Sequence, residues 1–223
     1  MVRSSLQELD ASAACQALRN PFATAELIEV LLTQAPALLR SYDFRRDAAM
    51  HPRTPEFHAL RLVSGLFWND LVRLGLDVRV RPVVRRAADQ RLAQRLTALA
   101  IGERVAVARQ ASAAVLSVLR YDPTPRVIAA LLENPRASEG LLLPLLASEE
   151  AQPAVLALIA ANPRFGARHG VRAALARNHR TPVATALGLL PGLRKSELET
   201  VANEPRLSAP VRRRARLLLG DRG

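Results

Sequence analysis

Residues 171–190 read VRAALARNHRTPVATALGLL, two helical runs joined by a turn whose chemistry is specific. Asn178 ends the first run, because after Gly it is Asn that best tolerates the left-handed conformation in which many helices stop. Thr181-Pro182 opens the second. The Thr hydroxyl is suited to cap the new helix, and Pro at the first helical position loses nothing by lacking an N–H.

The same signal recurs outward from this stretch. ALRNPFAT (17–24), AAMHPRTP (48–55), VARQASAA (107–114), LLENPRAS (131–138), AANPRFG (160–166) and VANEPRLS (201–208) each end an apolar run and then turn. The stop residues are Asn20, His51, Gln110, Asn134, Asn162, Asn178 and Asn203, at spacings of 31, 59, 24, 28, 16 and 25. Proline, which cannot extend a helix, follows at Pro21, Pro52, Pro135 and Pro163. Asp122-Pro123-Thr124-Pro125 starts a helix without a matching stop. A signal repeated this often predicts stacked helical hairpins of degenerate length rather than one globule. The 59-residue gap has room for helices near 55–65, 67–76 and 83–101, and the 16-residue step for one, so register is expected to slip there. The total comes to about ten to twelve helices.

Segments 171–190 and 198–219, the latter LETVANEPRLSAPVRRRARLLL, resemble the leucine-rich repeat variant, a relative of HEAT-like repeats. The resemblance covers about Gly102 to Arg216 well and 10–65 more loosely. It implies an all-α fold, an α-α superhelix (solenoid) of degenerate HEAT-like helix–turn–helix repeats, and it implies no particular function. Some members of the group hold an iron–sulfur cluster on clustered cysteines. This chain has only Cys15, so no cofactor carries over. The expected organisation is a single domain over 1–223, with N-terminal repeats (1–66), an irregular basic middle (67–101) and the clearest repeats ending in a capping helix (102–223).

Ala, Leu and Arg dominate the composition, all strong helix formers, and no segment alternates apolar and polar residues as a strand would. One cysteine excludes a disulfide within the chain and a Cys-based zinc site. The start, MVRSSLQELD, has no apolar signal core, and no run of about 18 apolar residues exists for a membrane span. The expected compartment is the cytoplasm.

Net charge is +12, unevenly placed: residues 71–223 carry 25 basic and 12 acidic residues. All basic residues but Lys195 are arginine, which either reflects a GC-rich coding bias or serves bidentate binding of carboxylates and phosphates. Arg53, Arg136, Arg164, Arg180 and Arg206 stand just beyond five of the stops and would form a row along a solenoid edge. Such a row either binds an acidic partner or covers the carbonyls left free at helix ends. A second basic segment holds Arg81, Arg85, Arg86, Arg91 and Arg95 beside an apolar stripe of Val84, Ala88, Leu92, Leu96 and Leu99. No aromatic residue interleaves it for stacking on bases.

Trp68 and Asp70 resemble, thinly, the Trp and Asp of HEAT-like alkylpurine DNA glycosylases. The alternative is that Trp68 packs at a helix junction. His51 and His179 are expected to be exposed in turns, Cys15 to be a small core residue, and Glu149-Glu150 to be solvated in a loop. No HExxH, phosphate-cradling Gly loop or Gly-x-Ser-x-Gly elbow occurs, so no catalytic residue, metal or cofactor is expected. SEGLLLPLLAS (138–148) and TPVATALGLLPG (181–192) are nearly free of charge and read as inner-layer helices, either closed in a stack or lining a groove. The chain therefore reads as a non-catalytic scaffold for a protein or peptide partner, acidic or helical. The alternative is a basic array on DNA or RNA, less readily one with glycosylase activity.

Overall fold

A computed structural model of the chain describes residues 10–20 and 22–221; Pro21, the first nine residues, MVRSSLQEL, and the last two, Arg222 and Gly223, lie outside them. The described residues are all-helical, with fifteen α-helices, three short 3-10 turns and no strand. The helices are α1 (Ala11–Arg19), α2 (Ala25–Gln34), α3 (Tyr42–Met50), α4 (Glu56–Val63), α5 (Trp68–Leu76) and α6 (Pro82–Arg95). They continue as α7 (Ile101–Gln110), α8 (Ala113–Leu119), α9 (Pro125–Glu133), α10 (Glu139–Ala147) and α11 (Pro153–Ala161). The last four are α12 (His169–Arg177), α13 (Val183–Leu189), α14 (Lys195–Asn203) and α15 (Ala209–Gly220). Fifteen exceeds the expected ten to twelve because many are of only seven to ten residues, shorter than apolar periodicity can separate. The three helices expected in the long gap are α4, α5 and α6.

The sequence alone gives one domain over 1–223, whereas packing divides the chain into two compact units. One comprises residues 1–99 with 110–115, the other 100–109 with 116–223. In the first unit, α1 packs on α3, α3 on α4 and α5, and α6 on α4 and α5. Phe44, Leu66, Leu71, Leu74 and Leu92 are fully buried there. In the second, α9 packs on α11, α10 on α12, α12 on α14 and α13 on α15, around Leu116, Ile128, Leu131, Leu142 and Phe165. Contact between each helix and the second one after it is what stacked helical hairpins produce. Of the expected stripe in α6, Val84, Ala88, Leu92 and Leu96 are buried.

The charge-poor helices are packed on one side and expose small and apolar residues on the other. α10 buries Leu141, Leu142, Leu145 and Leu146, and exposes Gly140, Leu143, Pro144 and Ala147. α13 buries Ala186 and Leu189 and exposes Val183, Ala184 and Gly188.

Candidate functional site

The repeating feature is the turn itself, and its geometry departs from the left-handed stop. Asn20, His51, Asn134, Asn162 and Asn178 all cap their helices in extended backbone, with φ between −83° and −65° and ψ between 113° and 129°. No described residue has positive φ. Asn is chosen for its side chain instead: its Oδ1 accepts the N–H two residues on, as Asx turns do. Asn134 takes Arg136 N–H at 2.8 Å, Asn162 takes Arg164 at 2.9 Å, Asn178 takes Arg180 at 2.8 Å, and Asn20 takes Phe22 at 3.0 Å. In His51 the ring Nδ1 does the same for Arg53 at 3.2 Å.

Other acceptors fill the same role without the Asn signature. Asp77 Oδ1 accepts from Arg79 N–H at 3.0 Å, Asp122 Oδ1 from Thr124 at 2.8 Å, Ser148 Oγ from Glu150 at 3.2 Å and Glu204 Oε1 from Arg206 at 3.2 Å. Asp77 is the stop hidden in the 59-residue gap. Gln110 and Asn203 are last helical residues rather than stops, and the turn after α14 is built by Glu204. The Thr-Pro pairs also work differently from expectation. Pro55 and Pro182 are the N-caps, and the buried Thr54 and Thr181 hydroxyls donate backward to Ala48 and Leu175 carbonyls at 2.5 and 2.7 Å. With proline at the N-cap the threonine lies too early to cap the next helix, and it serves the orphan carbonyls of the previous one.

The amide ends of two stop residues, Asn134 and Asn178, reach the neighbouring level. Asn134 Nδ2 donates to Ala108 O at 2.9 Å, and Asn178 Nδ2 to Leu146 O and Ser148 O at 2.7 and 2.9 Å. In the first unit His51, expected to be exposed, is buried with Nε2 3.3 Å from Asn20 O. Buried carbonyls at helix ends need donors, and each level supplies those of the level before it.

These bonds locate the five turn arginines, all exposed. Arg53 belongs to the first unit, where its guanidinium donates to Phe22 O at 3.1 Å. In the second unit Arg164 donates to the carbonyls of Leu132, Asn134, Pro135 and Ala137, so turn 162–166 stacks on turn 134–138. Arg206 pairs with Glu149 and Glu204, which places turn 204–208 with turns 148–152 and 178–182. Those two groups of turns sit at opposite ends of α10, a helix of nine residues or about 13 Å. Arg136 and Arg164 therefore occupy one edge of the unit, and Arg180 and Arg206 the other. The 16-residue step is not a slip in the stack. α11 and α12 are consecutive helices that both end in Asn, and the signature passes there from one edge to the opposite one.

Three of the five segment arginines have partners. Arg95 donates to Leu66 O and Ser64 O, both at 2.6 Å, and Arg91 to Ser64 O at 3.5 Å, closing the end of α4. Arg81 lies 3.9 Å from Glu56, and Arg85 is half-buried with Asp89 as its charged neighbour. Arg86 is exposed. Of the ten candidate arginines, Arg85, Arg86, Arg136 and Arg180 place no hydrogen bond or ion pair on the guanidinium among the described residues.

Asp70 is buried and accepts the Tyr42 hydroxyl at 2.6 Å, while that hydroxyl accepts Phe67 N–H at 2.9 Å. Burial, then the bond to Asp70, holds the Tyr42 phenol above its usual range. Asp70 thus ties α3 to the first turn of α5, where a carboxylate also suits the helix dipole. Trp68 next to it is half-buried. Tyr42 further packs on exposed Phe67, with ring centroids 4.4 Å apart. Cys15 is buried, and burial raises its thiol. Glu149, expected to be simply solvated, is exposed but paired with Arg206. His169 Nε2 meets Glu197 Oε1 at 2.8 Å. Among the described residues no group of three His, Cys, Asp or Glu side chains could hold a metal ion, and no helix is long and apolar enough to cross a membrane.

Two clefts open along the Arg180–Arg206 edge. One, about 370 Å³, lies between Tyr121, Pro123, Leu145, Gln152 and Val155; the next, about 250 Å³, is lined by Ala174, Arg177, His179, Glu204 and Arg206. The first unit has a groove of about 510 Å³ among Leu32, Leu39, Arg45, His58, Arg61 and Leu62. None of these residues is marked by a turn signal. The available clue was a pair of spacings, Tyr42–Arg45 and Phe57–Arg61, that set cation against ring on one helix face. Comparison with protein-family models, with curated proteins and with solved structures finds no match to this chain.

Proposed function

We propose that this chain is a non-catalytic interaction scaffold built on HEAT-like repeats of the leucine-rich-variant kind, carrying a protein or peptide partner. One observation carries the reading: successive turns share one internally satisfied bonding scheme while the clefts between them differ in lining. The bond that closes the turn recurs from level to level, whether Asp122, Ser148, Asn178 or Glu204 accepts it. Tyr121 and Gln152 in one cleft give way to Arg177, His179 and Arg206 in the next. A fixed frame with variable lining is what helical-repeat binding proteins use to present extended surfaces. The single cysteine suits a reducing compartment such as the cytoplasm.

Charge argues for nucleic acid as a second reading, but most candidate arginines already serve carbonyls or carboxylates of the fold. The glycosylase reading is weaker still, since Asp70 is buried against Tyr42. Affinity capture from native lysate, with and without nuclease, separates the readings. Partners retained after nuclease and reduced by Arg180→Glu support the scaffold. Loss of all partners on nuclease treatment, with steep salt dependence of DNA binding, would replace it with the nucleic-acid reading.

A further inference from the structure

Resting on the scaffold reading, we propose that the groove between α2, α3 and α4 is a docking site for an acidic amphipathic peptide, apolar side chain inward and carboxylates on the rim. The floor is apolar: Leu32 and Leu62 are buried and Leu39 half-buried. The rim carries two guanidinium groups, Arg45 and Arg61, beside the imidazole of His58, and no carboxylate lines the groove.

The carboxylates of α3 and α4 are committed elsewhere. On α3, Asp43 and Asp47 pair with Arg46 at 2.7 and 2.8 Å, and Asp47 also faces Arg19 at 3.8 Å. On α4, Glu56 faces Arg81. Arg45 and Arg61 are held instead by aromatic rings, 5.8 Å over Tyr42 and 5.5 Å over Phe57. A guanidinium resting on a ring face keeps its N–H donors for an incoming acceptor. Outside the groove α4 exposes Phe57 at 66% and Leu60 at 36%, extending the apolar surface along the helix. An apolar floor, unpaired cations and adjoining apolar surface match a short helix with leucine on one face and glutamate beside it. Complementary charge also steers its approach. A basic peptide would meet like charge, and a nucleic acid would leave the leucine floor unfilled.

The test is fluorescence anisotropy of the whole protein with a labelled peptide of alternating leucine and glutamate faces, beside versions with lysine for glutamate and serine for leucine. Saturable binding of the first peptide only is expected, weakened about tenfold or more by Arg61→Glu and by Arg45→Glu. Arg213→Glu, an exposed position on α15 in the other unit, should leave it unchanged. Arg61 is exposed, so its variant keeps the fold, which circular dichroism verifies. Absence of saturable binding, equal binding of the lysine peptide, or indifference to both substitutions overturns the proposal. So does displacement of the peptide by duplex DNA at matched charge. Failure here with nuclease-resistant partners still captured condemns the groove and leaves the scaffold reading standing; loss of those partners as well condemns both.

Discussion

A single Asn178 side chain serves two levels of the second unit: its Oδ1 closes its own turn, and its Nδ2 satisfies Leu146 and Ser148 carbonyls. Both ends are needed, because a buried carbonyl without a donor costs about 1–3 kcal/mol. Asn178→Ala should therefore destabilise the protein by roughly that amount in urea titration. Asn178→Asp separates the roles. It keeps the acceptor, removes both donors and sets a carboxylate against two carbonyls, so it should be at least as damaging. Wild-type stability in the Asp variant would mean that only the turn matters. Gly166 is constrained differently: a Cβ there would overlap the carbonyl oxygen of Ala160 and crowd that of Asn162. Backbone cannot yield as a side chain does, and Gly166→Ala should cost about 1–3 kcal/mol by the same measurement. Stop positions were legible because Asn and His followed by Pro or Arg recur in print. Their conformation was not, since an Asx turn and a left-handed stop select the same residue. Asp77 and Glu204 escaped notice because a carboxylate does the work of an amide oxygen without announcing it.

Helix existence was readable wherever apolar periodicity met a proline or threonine start, and α4, α5 and α6 fall where the 59-residue gap allowed. What a helix face touches was less readable, as α5 and α6 show. Asp89 of α6 lies against Gly75 of α5, where any side chain would collide with its carboxylate. Burial raises the Asp89 pKa, only partly offset by the Ser112 hydroxyl and Arg85. A carboxyl held above its unfolded value binds its proton more tightly in the fold. Its contribution is therefore greatest in acid and is lost as pH rises through the folded value. At neutral pH the charged form is the strained one. Asp89→Asn should raise the melting temperature at pH 7 and narrow the gain on acidification towards the ordinary carboxylate range. Unchanged melting at both pH values would show the carboxylate to be solvated. From sequence, Asp89 is one acid among five arginines and reads as surface; only the close pass of two helices at a glycine makes it otherwise.

For the whole molecule, the division into units crosses the sequence order. Residues 110–115 belong with 1–99, although 100–109 belong with the C-terminal portion. Within the first unit that short stretch supplies buried Ala111 and Val115, and Ser112 as the partner of Asp89. No turn signal marks such an exchange, because each stop reports only its own helix end, which is why the chain read as one continuous array. The physical consequence is specific. A chain ending at Leu99 lacks two core side chains and one hydroxyl donor, whereas a chain ending at Val115 restores them. At about 1–3 kcal/mol for each buried apolar side chain regained, and several degrees of melting temperature for each kcal/mol in a unit of this size, the longer chain should melt measurably higher. Scanning calorimetry on the two truncations decides it. Equal melting would mean that 110–115 merely lies against the first unit. A higher value for the longer chain, abolished by Val115→Asp, would mean that the first unit closes its core with residues the sequence order assigns to its neighbour.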